Sequence, residues 1–294
     1  MQESLLAYRR LRYLWVASAL AAAAVVAYAL HRPPEPPNGG SWLGYTLGGI
    51  AAALVLLLAA FGIRKRAYAS TLGSVRGWLS AHVYLGLALV VVMTLHAGFQ
   101  FGWNVHTLSY VLACVVVASG TVGVWFYLRY PGQMSRNRAG ETREQMLAEL
   151  ADLDRLAAKQ AAALGGEYPD VMMSARDRSA LGGSALAILA GRDQSRVVLP
   201  GAHAGGSQAL PNPSQSRLLD WLGHELAEST DGERTRQIHE LMTLVNTRRG
   251  LLDRLRRDAQ IRAWLDAWLY VHVPATTTLL AALAAHVIVV FLYW

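Results

Sequence analysis

The sequence predicts an all-α membrane protein with five transmembrane helices, four of which form a bundle, and a mainly helical cytoplasmic insertion. The chain of 294 residues is 53% hydrophobic and has a mean hydropathy of +0.26, which is too apolar for an ordinary soluble domain of this length. Five segments are long and uncharged enough to cross a bilayer. Between Arg76 and Arg129, and again after Asp266, the chain has no Asp, Glu, Lys or Arg.

The predicted spans divide the chain into four parts. The spans cover residues 13–30, 41–63, 78–100, 107–128 and 268–293. Residues 1–40 form an anchor helix and an outer loop, 41–128 the first part of the bundle, 129–267 the insertion and 268–294 the last span. The insertion therefore separates the last span from the other helices of its bundle.

The net charge of +7 is compatible with a nucleic-acid partner, but its placement indicates a membrane topology instead. The insertion is nearly neutral, with 19 basic and 18 acidic residues. The positive excess lies beside the first three spans, at Arg9, Arg10, Arg12, Arg64, Lys65, Arg66 and Arg76. Positive residues favour the cytoplasmic ends of spans. We therefore predict an integral protein of the prokaryotic cytoplasmic (inner) membrane, in contact with lipid and with no nucleic acid. The N-terminus and the insertion lie in the cytoplasm, and the C-terminus lies outside.

Two of the spans carry pairs of histidines at the same separation. His82 and His96 lie on the third span, His272 and His286 lie on the fifth, and thirteen residues separate the members of each pair. Fourteen helical steps of ~100° return to within roughly 40° of the starting direction and climb ~21 Å. Each helix therefore presents two imidazoles on one face, one near each surface of the membrane. Because both spans run from the cytoplasm outwards, His82 is level with His272 and His96 with His286.

Two levels of paired histidines predict two b-type haems stacked across the membrane. A neutral imidazole is a strong iron ligand, whereas an unpaired polar ring is costly inside a bilayer. With both axial positions occupied, such a haem transfers electrons and does not bind oxygen. The second ring nitrogen of each ligand is expected to donate to a helix carbonyl or a hydroxyl. The alternative for a single membrane histidine is a packing or proton-relay role.

Other residues near these histidines are weaker candidates. Gly86 lies one turn from His82, where it either admits a porphyrin close to the backbone or serves helix packing. Arg76, Arg129 and Arg32 are candidates for haem propionates, although orientation charge or lipid contact is the favoured interpretation. His31 and His106, at the outer boundary, are placed to touch a propionate or a quinone, but interfacial histidines usually have neither role. Gly44 with Gly48, and Gly120 with Gly123, are interpreted as helix contacts.

Several other chemistries are not predicted. The single cysteine, Cys114, excludes an intrachain disulfide and a cysteine-ligated iron–sulfur cluster. His203, His224 and His239 in the insertion have no further metal-ligating residues at the spacing of a metal site. A zincin motif beginning at His224 needs a second histidine at position 228, where this chain has Glu228. No Gly-rich fingerprint follows a strand, so a flavin or nicotinamide site is not expected.

The insertion is expected to be mainly helical. Thr142–Ala163 reads as an amphipathic helix that begins with a capping box of Thr142 and Gln145. Residues 165–216, rich in Gly, Pro and Ser, are predicted to be loop with a short strand at Arg196–Leu199. Helical periodicity returns from Leu218 and continues towards the last span.

At the four histidines the chain resembles di-haem membrane cytochromes b. In the core of respiratory cytochrome b, a four-helix bundle carries histidine pairs on its second and fourth helices. The transmembrane domain of ferric reductases and NADPH oxidases carries them on spans three and five. The resemblance covers about 41–128 and 268–294, and it implies a four-helix haem-binding bundle. It does not extend to the FAD/NADPH module of the reductases, to the insertion, or to a quinone-site motif.

The expected function is that of a di-haem cytochrome b subunit of a larger membrane oxidoreductase. Electrons would pass between a cytoplasmic haem on His82/His272 and an outer haem on His96/His286. Other subunits of the complex, a c-type cytochrome outside and a cytoplasmic partner at 129–267 are the expected partners, and whether the chain is itself an enzyme is left open. Two alternatives remain: a self-standing quinol oxidoreductase that binds a quinone, and a non-redox membrane scaffold or transporter.

Overall fold

A computed structural model describes residues 7–31, 39–67, 71–138, 140–200 and 209–292. The elements in chain order are α1 (Arg12–Leu30), α2 (Trp42–Arg66), α3 (Val75–His96), α4 (Val105–Arg138), α5 (Arg143–Leu164), α6 (Tyr168–Asp177), α7 (Ala185–Leu189), β1 (Arg196–Val197), β2 (Leu210–Pro211), a 3₁₀ turn (Pro213–Gln215), α8 (Ser216–Glu228) and α9 (Gly232–Leu292). The chain divides into two compact units, a membrane unit of Met1–Phe126 with Trp268–Trp294 and an insertion unit of Tyr127–Ala267.

Among the residues that the structure describes, five helices, α1 to α4 and α9, are long and apolar enough to cross a membrane. The predicted class of all-α membrane protein is therefore confirmed. α4 was predicted to end at residue 128 but continues to Arg138. α9 joins the insertion to the last span as one helix of 61 residues, and Pro274 inside it does not end it. Interior proline is tolerated in membrane helices where other groups satisfy the freed carbonyl.

Capping residues decide where α3 begins and ends. It begins earlier than predicted, because the Ser74 hydroxyl accepts a hydrogen bond from the backbone N–H of Gly77 at 3.1 Å. It ends at His96, short of the predicted residue 100, because Gly98 and Phe99 adopt φ angles of 58° and 60°. His96 therefore occupies the last turn of its helix.

The core of the membrane unit lies around α3. α3 packs along both α1 and α2. Its inward residues Leu89 and Val92 are buried together with Ala17 and Ala24 of α1 and Leu279 of α9. Alanines at such contacts let helix backbones approach closely, which favours association where lipid removes the usual hydrophobic driving force. The close packing of α3 sets the direction in which its histidines point.

The insertion unit has its own hydrophobic core. The capping box of Thr142 and Gln145 is present at the start of α5, as predicted. The predicted strand is confirmed at Arg196–Val197, which pairs antiparallel with Leu210–Pro211. Buried side chains from four helices (α5, α6, α8 and α9) and β1 fill the core, among them Ala161, Val171, Val197, Leu218, Leu222, Ile238, Leu241 and Leu252.

The prediction of loop across residues 165–216 was wrong at α6 and α7. In α6, Tyr168, Val171, Met172 and Ala175 are buried, which is the spacing of a helix face. Pro169 fits in the first turn, where its missing N–H costs nothing. The surrounding glycines and prolines concealed a ten-residue helix whose periodic pattern was present in the sequence.

Candidate functional site

The four membrane histidines form two pairs, each joining α3 to α9. The ring centres of His82 and His272 are 6.5 Å apart, and those of His96 and His286 are 6.1 Å apart. This is the pairing that the spacing of the histidines and the charge distribution predict. The fold therefore brings together residues that lie almost two hundred positions apart in the chain.

Both separations fit two imidazoles on opposite sides of one metal ion. An imidazole nitrogen lies ~1.1 Å from its ring centre and metal–imidazole bonds are about 2.0 Å long, so two axial rings have centres about 6 Å apart. Direct packing of two rings would also allow shorter distances. The residues present thus fit a bis-histidine metal group at each level.

Hydrogen bonds to the backbone orient two of the four rings. His82 Nδ1 lies 3.1 Å from the carbonyl oxygen of Leu58, and His96 Nδ1 lies 2.8 Å from that of Gly44. Because a carbonyl can only accept, each ring must carry its proton on Nδ1 and donate it. The lone pair is then on Nε2, the nitrogen that a metal would bind.

The third ring, His272, is oriented through a serine of α4. Its Nδ1 lies 2.8 Å from Ser119 Oγ, and the same hydroxyl donates to the carbonyl of Val116 at 2.8 Å. Because its proton is used there, Ser119 accepts from His272 Nδ1. The expected hydrogen bond to a carbonyl or hydroxyl is thus present at three of the four histidines.

At the fourth histidine the structure adds His106, for which the sequence suggested a propionate or quinone contact but no contact with another histidine. The Nδ1 atoms of His286 and His106 are 2.6 Å apart, and the two ring centres are 4.4 Å apart. His106 lies at the start of α4 and His286 near the end of α9. These two helix ends reach the same membrane surface. Their shared depth in the membrane, which the sequence predicts, is the signal from which this contact could have been found.

The rings are also held by packing. Trp268 stacks on His272 with ring centres 5.3 Å apart and an angle of 26° between the planes. Its indole N–H donates to the carbonyl of Ser119 at 2.8 Å. Gly123 leaves the space for that indole, because a Cβ at this position would overlap the Trp268 ring. The α4 glycine interpreted as a helix contact therefore serves a residue that packs on a histidine of the site.

Gly48 has the same relation to His96. A Cβ on Gly48 would lie 2.7 Å from Cε1 of the His96 ring, whereas a Cβ on the next residue, Gly49, would meet nothing within 4 Å. The carbonyl of Gly44, one turn earlier, is the acceptor for the same ring. Both glycines of the α2 GxxxG motif thus position the His96 ring, Gly44 through its carbonyl and Gly48 through the space that its missing side chain leaves.

We expect Gly48→Ala to displace the His96 ring and to destabilise the protein by ~1–3 kcal/mol, the usual cost of overpacking. Gly49→Ala is the matched control, since the same methyl group enters open space and favours the helix by up to about 1 kcal/mol. Thermal unfolding of the purified full chain measures both effects. Equal unfolding temperatures for the two variants would contradict the contact.

The remaining candidate residues are less closely involved in the histidine site. Gly86 is buried, but a Cβ there would meet only Leu58, at 4.0 Å, so close helix packing does not require glycine. Arg76 and Arg129 are exposed and form no ion pair with the described residues. Arg32 and His203 lie outside the described residues. His31 packs edge-on against Trp42, with ring centres 5.3 Å apart.

A groove with a volume of about 170 Å³ adjoins His82 on the side of α1 and α2. Its walls are mostly apolar and include Tyr13, Leu57, Phe61, Trp78, His82 and Leu85. The Phe61 ring lies 5.2 Å from the His82 ring, centre to centre. A planar, largely apolar group is the kind of ligand that such walls accommodate.

Fold and site together define a helical membrane protein with two stacked histidine pairs. No protein-family model, curated protein or solved structure shows significant similarity to the chain. The function therefore has to be inferred from the geometry of the site.

Proposed function

We propose that the chain is a di-haem b-type cytochrome that carries electrons across the membrane as a subunit of a larger oxidoreductase. The observation that carries the proposal is the state of the histidine rings. They are paired at 6.1 and 6.5 Å, and the partners of three of them leave Nε2 unprotonated. Two protein ligands per level is the number that haem iron needs, since the porphyrin supplies the other four.

In this proposal the chain's residues act by holding and orienting. His82 and His272 would hold the cytoplasmic haem, and His96 and His286 would hold the outer one. The iron of a bound haem would supply one-electron redox chemistry. Gly86, where a Cβ would meet only Leu58 at 4.0 Å, would let a porphyrin edge lie close to the α3 backbone. Arg76 and Arg129, exposed and charged, are the candidates for its propionates.

The proposed direction of transfer is outward. The distribution of positive charge favours a prokaryotic inner-membrane protein whose N-terminus and inserted segment, residues 129–267, both lie in the cytoplasm. Because the inside of the membrane is negative, outward movement of an electron across the whole membrane is favoured by about 2.3 kcal/mol per 100 mV of membrane potential. A cytoplasmic donor or quinol would then reduce the inner haem, and the outer haem would reduce a c-type cytochrome. The insertion unit is the proposed docking surface for a cytoplasmic subunit.

A second candidate, a self-standing quinol oxidoreductase, is favoured by the groove beside His82. Its aromatic walls suit a quinol ring, and its position next to the proposed ligand of the inner haem would permit direct electron transfer. Reduction of the purified chain by a short-chain quinol would support this candidate. A chain that holds haem but is reduced only when other subunits are added would support the subunit proposal.

The deciding experiment is a reduced-minus-oxidised spectrum with a pyridine haemochrome assay on the purified full chain. Two b haems per polypeptide are expected. One haem would mean that one histidine pair has another role. A colourless protein would overturn the proposal and favour a membrane scaffold or transporter. The double variant His82→Leu/His96→Leu, which lacks one ligand of each pair, is the control for haem bound elsewhere.

A further inference from the structure

The contact between His106 and His286 distinguishes one haem level from the other. The hydrogen-bond partners of His82, His96 and His272 are two carbonyls and a hydroxyl. The partner of His286 is a ring nitrogen of a second imidazole, at 2.6 Å. An imidazole nitrogen is a stronger base than a carbonyl or hydroxyl oxygen. The environment of His286 therefore differs in kind from that of the other three histidines.

The short distance indicates a hydrogen bond and not a metal shared by the two rings. Two imidazole ligands at right angles on one metal, with bonds of about 2.0 Å, would hold their nitrogens about 2.9 Å apart. At 2.6 Å one nitrogen must donate a proton to the other, because two lone pairs or two N–H groups would repel. If His286 binds iron through Nε2, its Nδ1 carries the proton, and His106 Nδ1 accepts it.

The chain holds His106 in place to make this contact. Asn104 Oδ1 accepts the backbone N–H of Thr107 at 2.9 Å, and Thr107 Oγ1 accepts that of Gly102 at 3.1 Å. These two bonds fix the first turn of α4, in which His106 lies. The His106 ring is exposed and hydrogen-bonds to the His286 ring.

We propose that His106 is a positioning residue that accepts the Nδ1 proton of His286 and thereby lowers the midpoint potential of the outer haem. The inference rests on the proposed function. A strong acceptor on the distant nitrogen makes the ligating imidazole more basic, and a more basic ligand stabilises ferric over ferrous iron. Outer and inner haem would differ in potential partly because only the outer ligand set has a nitrogen base behind it.

The test is a redox titration of the purified holoprotein with four variants. His106→Phe keeps a ring but removes the acceptor, and His106→Asn places an amide oxygen near the former Nδ1. His31→Phe changes a histidine at the same end of the helices that does not contact His286. The single variant His96→Leu identifies which potential belongs to the outer haem.

In His106→Phe we expect two haems, a higher midpoint potential at the outer haem alone, and a changed low-spin electron paramagnetic resonance signal for that haem. His106→Asn should move both readouts back towards the wild type, and His31→Phe should leave both unchanged. Loss of the outer haem in His106→Phe with retention in His106→Asn would also support the need for an acceptor.

Two outcomes would overturn the inference. One is two haems with unchanged potentials in His106→Phe, and the other is loss of the outer haem in both His106 variants. Failure of the proposed function itself is separate, because it would be seen as missing haem in the wild-type chain.

Discussion

Replacing either His96 or His286 with leucine is expected to lower the haem content of the purified chain from two per polypeptide to one. In the proposed di-haem arrangement each variant removes one of the two histidines that would hold the outer haem, whose ring centres are 6.1 Å apart. Electron transfer to the outside should stop, while the haem on His82 and His272 remains reducible. Haemochrome quantification and stopped-flow reduction in vesicles measure the two effects.

Two comparisons make this prediction specific. His82→Leu should give the reciprocal result, with the outer haem retained and the inner one lost. His31→Leu removes a histidine that packs on Trp42 and should leave two haems in place. Full haem content with unchanged reduction kinetics in both His96→Leu and His286→Leu would rule out ligation by this pair.

The second large effect is expected in the insertion unit, at Arg248. This side chain is 2% exposed, donates to Asp154 at 2.5 Å and also reaches Ser179 at 3.0 Å and the Gln215 amide oxygen at 3.2 Å. Arg248→Met keeps much of the apolar stem but leaves the Asp154 carboxylate without its charged partner. Breaking a buried pair from one side costs about 3–5 kcal/mol, so the unit should be strongly destabilised.

Hydrogen exchange of the full chain measures this loss directly. Amides that exchange only when the unit opens should exchange more than roughly a hundredfold faster in Arg248→Met, because each 1.4 kcal/mol is a factor of ten. Arg236→Met is the control, since Arg236 pairs with Glu233 while both side chains are more than half exposed. Exposed pairs contribute about 0–1 kcal/mol. Similar exchange in the two variants would show that the buried pair adds nothing to stability.

The membrane part of the fold could be predicted because its signals are local. An uninterrupted apolar segment long enough to span the membrane predicts a helix, because in lipid every backbone polar group must be hydrogen-bonded within the segment. The same local reasoning predicted the depth of each histidine in the membrane, because the rise and rotation per residue of a helix are constant. It failed at α6, where periodic Tyr168, Val171, Met172 and Ala175 stand among turn-forming residues and tertiary packing decided the outcome.

The sequence by itself determined that the chain enters a membrane, that α3 and α9 each carry two histidines on one face, and which histidines share a level. Only the tertiary structure decided what stands behind each ring: the carbonyls of Leu58 and Gly44, the hydroxyl of Ser119 and the imidazole of His106. The physical reason is that hydrophobicity and helical periodicity act within one segment. A side-chain hydrogen bond between helices depends on their relative rotation and depth, and contacts spread over the whole bundle set both.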